Sequence, residues 1–173
     1  RSITGTWTNN TITNNTGHGI QLNALTTNLI VGTVGNGNLI SMNMLDGVEI
    51  NGVGSATFTD NMISNNGTGG FDFNPTTTNS LTLNNNIFRS NTGVGVALAG
   101  NGPNSVTVVM NMNTIELNTG DGLEINGSGT TGGLSLVSNN DIFTRNLGRG
   151  VDILNQPSSD SVLFFNNATV TAN

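Results

Sequence analysis

Apolar residues in this chain fall into short alternating runs and not into helical stripes. Ile20-Gln21-Leu22, Val48-Glu49-Ile50, Phe71-Asp72-Phe73, Val96-Ala97-Leu98, Leu123-Glu124-Ile125 and Val151-Asp152-Ile153 each set two apolar side chains around one outward residue. A period of two marks a short strand with one buried face. Two more strand signals accompany each run. One is a lone apolar residue, at Ile12, Ile40, Ile63, Phe88, Ile115, Phe143 and Val170. The other lies upstream, in Ala56-Thr57-Phe58-Thr59, Ser80-Leu81-Thr82-Leu83, Val106-Thr107-Val108, Leu134-Ser135-Leu136 and Val162-Leu163-Phe164-Phe165. Helix caps and 3.6-residue periodicity are missing, so the pattern predicts three short strands per unit, repeated, and no helix.

The unit repeats along the whole chain. Asn15, Asn43, Asn66, Asn91, Asn118, Asn146 and Asn173 are separated by 28, 23, 25, 27, 28 and 27 residues. Five residues before them stand Asn10, Asn38, Asn61, Asn86, Asn113, Asp141 and Ala168; four residues after the first six stand Gly19, Gly47, Gly70, Gly95, Gly122 and Gly150. If each repeat closes one turn, like strands stack in parallel about 4.8 Å apart. The apolar columns then merge into one core, and every rung depends on its neighbours for burial. The Asn and Gly columns are expected at corners, supplying left-handed backbone and stacked amides.

These residues carry a resemblance. Asn10-Thr11-Ile12-Thr13-Asn14-Asn15-Thr16-Gly17-His18-Gly19-Ile20-Gln21-Leu22 and its five sequels resemble the right-handed parallel β-helix repeats of the pectate-lyase-like superfamily. The second rung, Asn28-Leu29-Ile30-Val31-Gly32 followed by Gly37-Asn38-Leu39-Ile40-Ser41, is similar to rungs of very large secreted or surface bacterial proteins. The resemblance spans essentially all 173 residues. It implies an all-β, right-handed, single-stranded parallel β-helix (a β-solenoid) of about six to seven rungs of about 26 residues, three short strands per rung, as a single domain over 1–173. Such folds host lyases, hydrolases, epimerases, adhesins and phage spikes, so the fold alone does not assign a function.

The resemblance also says where chemistry would sit. Lyases of this type pair carboxylate-bound Ca²⁺ with an Arg or Lys base, and the galacturonan hydrolases use clustered Asp, a Gly-His-Gly and an Arg-x-Lys segment. Gly17-His18-Gly19 matches the middle element, but its glycines occupy turn positions of the repeat itself. There is no Asp-Asp pair and no Lys. The expectation is therefore a non-enzyme, with His18 an exposed turn histidine.

Composition narrows the field further. Asn, Thr and Gly number 32, 25 and 24, together 81 of 173 residues, which the repeat explains as corner chemistry. Four Arg, no Lys and a net charge of −6 leave no cationic footprint for nucleic acid. The apolar runs are a few residues long, far below the roughly 20 needed to cross a bilayer, so membrane insertion is not expected. No Cys means no disulfide and no thiolate chemistry. Trp7, the only Trp, shares a column with Phe58, Leu83, Met110 and Phe165 and reads as core; Arg89, Arg145 and Arg149 read as isolated solvated residues. Paired threonines fall in different columns, which argues against a regular ice-binding array.

One outward column carries candidate chemistry. The residue between the two apolar positions of the alternating strand reads Gln21, Glu49, Asp72, Ala97, Glu124 and Asp152. Stacking at about 4.8 Å brings Glu49 over Asp72 and Glu124 over Asp152, near the ~5–5.5 Å of a retaining glycosidase pair and within reach of a shared Ca²⁺. Glu49, Asp72, Glu124 and Asp152 are the metal-ligand candidates; calcium is the one ion considered, and no other cofactor is expected. Asp46 and Asp121 precede Glu49 and Glu124 by three residues. The weight of these observations falls on architecture: a structural module of an extracellular or cell-surface protein, part of a longer array or a stacking subunit, self-associating end to end through uncapped rungs into filaments. The alternatives are a polysaccharide-active or carbohydrate-binding β-helix with surface glycans as partners, and a calcium-dependent adhesin segment.

Overall fold

The computed structural model describes residues 3–23, 26–52, 54–75, 79–99, 105–127, 133–154 and 162–173. They coil into a β-solenoid. The first rung holds β1 (Ile3–Trp7), β2 (Thr11–Thr13) and β3 (Ile20–Leu22); the second, β4 (Thr26–Val31), β5 (Leu39–Ser41) and β6 (Val48–Asn51). The third holds β7 (Ser55–Thr59), β8 (Met62–Ser64) and β9 (Phe71–Asn74); the fourth, β10 (Asn79–Asn84), β11 (Ile87–Arg89) and β12 (Val96–Ala99). The fifth holds β13 (Val106–Asn111), β14 (Thr114–Glu116) and β15 (Leu123–Asn126); the sixth, β16 (Leu134–Asn139), β17 (Ile142–Thr144) and β18 (Val151–Leu154). The seventh contributes β19 (Val162–Asn166) and β20 (Thr169–Thr171). Like strands pair in parallel, giving sheets of seven, seven and six strands in rung order. The described residues contain no helix, as the period of two predicts.

Register follows the repeat. Ile12 lies beside Ile40, Ile40 beside Ile63, and Phe88 beside Ile115. Each inward column therefore forms a continuous ridge: Leu29, Phe58, Leu81, Phe88, Val108, Ile115 and Phe143 are fully buried. Phe58 and Phe88 each meet the ring of Phe71 edge-on, with centroids 4.9 and 6.0 Å apart. Trp7 packs on this core partly buried, as its column suggests.

The two Asn columns form buried ladders. Asn66 shows the unit: its Nδ2 donates forward to Asn91 Oδ1 at 3.0 Å and back to the Ile40 carbonyl at 3.3 Å. Its own Oδ1 accepts from Asn43 N and Nδ2 at 3.1 and 3.0 Å. Both donors and both lone pairs are used, so a fully buried amide has no unmet polar group. The second ladder repeats this through Asn38, Asn61, Asn86 and Asn113.

The corner backbone differs from the expectation. Left-handed φ does not fall on the ladder Asn or on the Gly column. It falls one residue before the ladder positions, Asn38 excepted: Asn14, Met42, Asn65, Ser90, Leu117, Arg145 and Ala172 before the first ladder, and Asn9, Asp60, Asn85, Met112, Asn140 and Asn167 before the second. The residue just ahead makes the turn, which frees the ladder Asn to point inward. Glycine four residues past the first ladder is required by space. A Cβ on Gly47 would lie 2.5 Å from Ile63 Cγ2 and 2.7 Å from Asn66 Nδ2, so any side chain there collides with core and ladder together.

Candidate functional site: an acidic face

The outward column of β3, β6, β9, β12, β15 and β18 is as the alternation places it. Gln21 pairs with Glu49, Glu49 with Asp72, Asp72 with Ala97, Ala97 with Glu124, and Glu124 with Asp152, each on neighbouring strands. A second column runs beside it three residues earlier in each rung: His18, Asp46, Gly69, Val94, Asp121 and Arg149. Together the two hold six of the ten acidic residues of the chain, at positions 46, 49, 72, 121, 124 and 152.

Most of these carboxylates have partners in the protein. Gln21 Nε2 donates to Glu49 Oε2 at 2.5 Å, and His18 Nε2 lies 3.5 Å from the same oxygen. Asp46 Oδ1 accepts from Thr68 Oγ1 at 2.5 Å and from the Gly69 amide at 2.6 Å, tying the second rung to the third. Asp121 ties the fifth rung to the sixth in the same way, accepting from the Arg149 amide at 2.5 Å. The Arg149 guanidinium turns to Asp152 at 2.7 Å.

Asp72 is the exception in its electrostatics. Burial, then the Asp46 carboxylate, push its carboxyl up to about 6; Glu49 and Glu124 add to this, and a hydrogen bond from Asn74 opposes it. Glu124 is also raised, by burial and then by Asp121 and Asp152. Beside Asp72 opens a cleft of about 400 Å³ lined by Asp46, Thr68, Asp72, Thr92, Val94 and Ala97 among others. Ala97 leaves it open, because at that rung the column has no long side chain. A carboxyl that titrates near neutrality beside a cleft can give or take a proton.

His18 is not the exposed turn residue expected from its Gly-His-Gly context. Its side chain is 15% exposed, wedged between Asp46 and Glu49 of the next rung. Nδ1 lies 3.2 Å from Asp46 Oδ2 but makes no aligned hydrogen bond. The arginines are not isolated either: Arg89 and Arg145, from the rungs on either side, both reach Glu116, and Arg149 holds Asp152. All three remain more than half exposed, so these pairs add little stability. The repeat columns contained these contacts: the column of His18, Asp46, Asp121 and Arg149 beside the carboxylate column holds those of His18 and Arg149, and the pairing of Arg89 with Glu116 lies in a column of its own. Of the metal-ligand candidates, Glu49 and Asp72 are neighbours, Glu124 and Asp152 are neighbours, and Ala97 separates the pairs. No group of three or more His, Asp or Glu among the described residues converges closely enough to hold a metal ion.

Three parallel sheets in rung order, a continuous core and stacked corner amides define a parallel β-solenoid. Residues 2–173 match the family described as "Right handed beta helix region", and the chain belongs to that family. Neither the curated proteins nor the solved structures compared with it give a match. The family's fold serves enzymes and non-enzymes alike, so membership leaves the activity open.

Proposed function

We propose that this chain is an architectural β-solenoid module working outside the cell or at its surface, and that copies of it stack head to tail, rung on rung. One observation carries the reading. Each rung offers its neighbours the same cross-section, three parallel strands in register around one apolar column, as at Ile40, Ile63, Phe88 and Ile115. A parallel rung of this kind is complementary to another rung of the same cross-section. The ladder supports it, because Asn173 continues the amide column that begins at Asn15. Such a contact does not close on itself and grows into a fibre.

Sedimentation and negative-stain microscopy of the purified chain test this. Concentration-dependent fibres of one width are expected, lost in a Phe165→Glu, Val170→Lys variant; monomers at every concentration overturn it. The cleft beside Asp72 favours a second reading, a surface that acts on or holds a glycan, since Asp46 and Asp72 both line it and Glu49 stands on the strand next to Asp72. Release of reducing ends from a polysaccharide panel, abolished by Asp72→Asn, is what that reading requires.

A further inference from the structure

The second ladder changes chemistry at one point. After Asn113 its next members are Asp141 and Ala168. Asp141 is 0% exposed. Its Oδ1 accepts from Asn113 N and Nδ2 at 2.7 and 2.8 Å, and its Oδ2 accepts from Ser138 Oγ at 2.6 Å. Ser138 is itself fully buried, in a column that is otherwise apolar at Phe58, Leu83 and Met110. The two polar residues therefore belong together: the hydroxyl enters the core where the carboxylate needs a donor. Neither an ionised Asp141 nor Ala168 can pass an amide donor forward. At this ladder position the seventh rung is tied to the sixth through backbone, with Thr169 N donating to Asp141 O and Asn140 N to Asn166 O, both at 2.9 Å. Beside it, the exposed Asn167–Asn140 and Asn166–Asn139 amide pairs add side-chain bonds outside the core.

We infer that Asp141 makes the joint between the sixth and seventh rungs a pH-sensitive hinge, closed while its carboxyl holds a proton and loosened when that proton leaves. The groups facing it are the Ser138 hydroxyl and the Asn113 amides, and no charged side chain among the described residues is paired with it. Burial raises its pKa above the usual carboxylate value, and the hydrogen bonds from Ser138 and Asn113 pull it part of the way back. Lifting Ala168 away admits water and returns the carboxyl to ordinary behaviour. The closed joint binds the proton more tightly than the open one, so opening becomes easier as pH rises above the ordinary carboxylate value.

Amide hydrogen exchange of the whole chain, corrected for intrinsic rates and read at about pH 4 and about pH 7, tests this. In the wild type, protection of the β19 and β20 amides is expected to fall several-fold over that interval while β10 and β11 hold theirs. Asp141→Asn keeps the shape, lets a ladder amide donate again, and is expected to flatten the dependence. Ser138→Ala takes a donor from the ionised carboxylate and is expected to steepen it. Equal dependence in wild type and Asp141→Asn overturns the hinge, as does a loss spread evenly over all rungs. Should Asp141→Asn fail to fold, an unchanged dependence in Ser138→Ala overturns it alone.

Discussion

Two single-residue columns run the length of this solenoid, one of amides inside and one of carboxylates outside, and the same rung spacing treats them in opposite ways. An amide is both donor and acceptor, so an Asn placed over an Asn completes it; the ladder of Asn43, Asn66, Asn91, Asn118 and Asn146 is buried and fully bonded. A carboxylate only accepts, so Glu49 beside Asp72 is a repulsion, and it adds to the burial and the Asp46 charge that raise the Asp72 carboxyl. The outward column is accordingly interrupted. Gln21 supplies a donor to Glu49, Ala97 removes a charge, and Arg149 neutralises Asp152. In a parallel solenoid every side chain is copied onto itself, and only self-complementary residues tolerate the copying without interruption.

The sharpest way to break this contrast is to move a carboxylate inside. Asn91 donates to Ile63 O and to Asn118 Oδ1 in the middle of the stack. Asn91→Asp sets acceptor against acceptor there and strands a buried charge, for an expected loss of about 3–5 kcal/mol at neutral pH. Urea unfolding measures it; a loss below about 1 kcal/mol, the size of one ordinary hydrogen bond, would sink the self-complementarity argument. The next effect in size comes from the space the ladder needs. Gly47→Ala drives a methyl against Ile63 and the Asn66 amide, and about 2–3 kcal/mol of destabilisation is expected from overpacking. Thermal melting reads it, and a neutral result would mean that the corner yields more readily than its geometry allows.

The outer column is sharpened by pH. The folded Asp72 carboxyl, at about 6, holds its proton more tightly than the unfolded chain does at 3.8. Its contribution is therefore fully present below pH 3.8 and is lost as pH rises through about 6. Asp72→Asn puts a self-complementary amide between Glu49 and Ala97. A higher melting temperature at pH 7 than wild type is expected, together with a shallower fall between pH 4 and 6. Parallel melting curves for the two proteins across that range would remove Asp72 as the source.

How much of this the sequence disclosed follows from the same copying rule. A repeat of near-constant length fixes register, so both ladders, the core columns and the Glu49–Asp72 neighbours were legible before any coordinates. The left-handed corner positions were not. They are occupied by Met42, Ser90, Leu117 and Arg145, whose side chains give no signal of positive φ, because the ladder bonds just beyond them impose the turn. The Gly column was legible as a column but not in its cause, which is a collision with the next rung and not a torsion. His18 stands over Asp46 and Arg89 over Glu116 within their own columns, but Glu49 and Arg145 join them from the neighbouring one, so only two columns read together show the clusters. The Asp141–Ser138 pair was hidden for a simpler reason: each departs from its own column, and only their contact explains both.

The smallest expected effect isolates burial from pairing. A third amide column runs on the outer side of the first sheet, where Asn111 Nδ2 donates to Asn84 Oδ1 and Asn139 Nδ2 to Asn111 Oδ1, both at 2.8 Å. Donor, acceptor and rung spacing match those of the buried ladders, yet these side chains are only partly covered. Water can replace each lost partner, so no polar group is left unmet when one is removed. Asn111→Ala is expected to change stability by no more than about 0.5 kcal/mol, against several for Asn91. If urea unfolding gave the two substitutions similar losses, the ladders would owe their strength to amide stacking itself. A large gap assigns it to the absence of water, which is also why one buried carboxylate at Asp141 can matter more than the whole charged column outside.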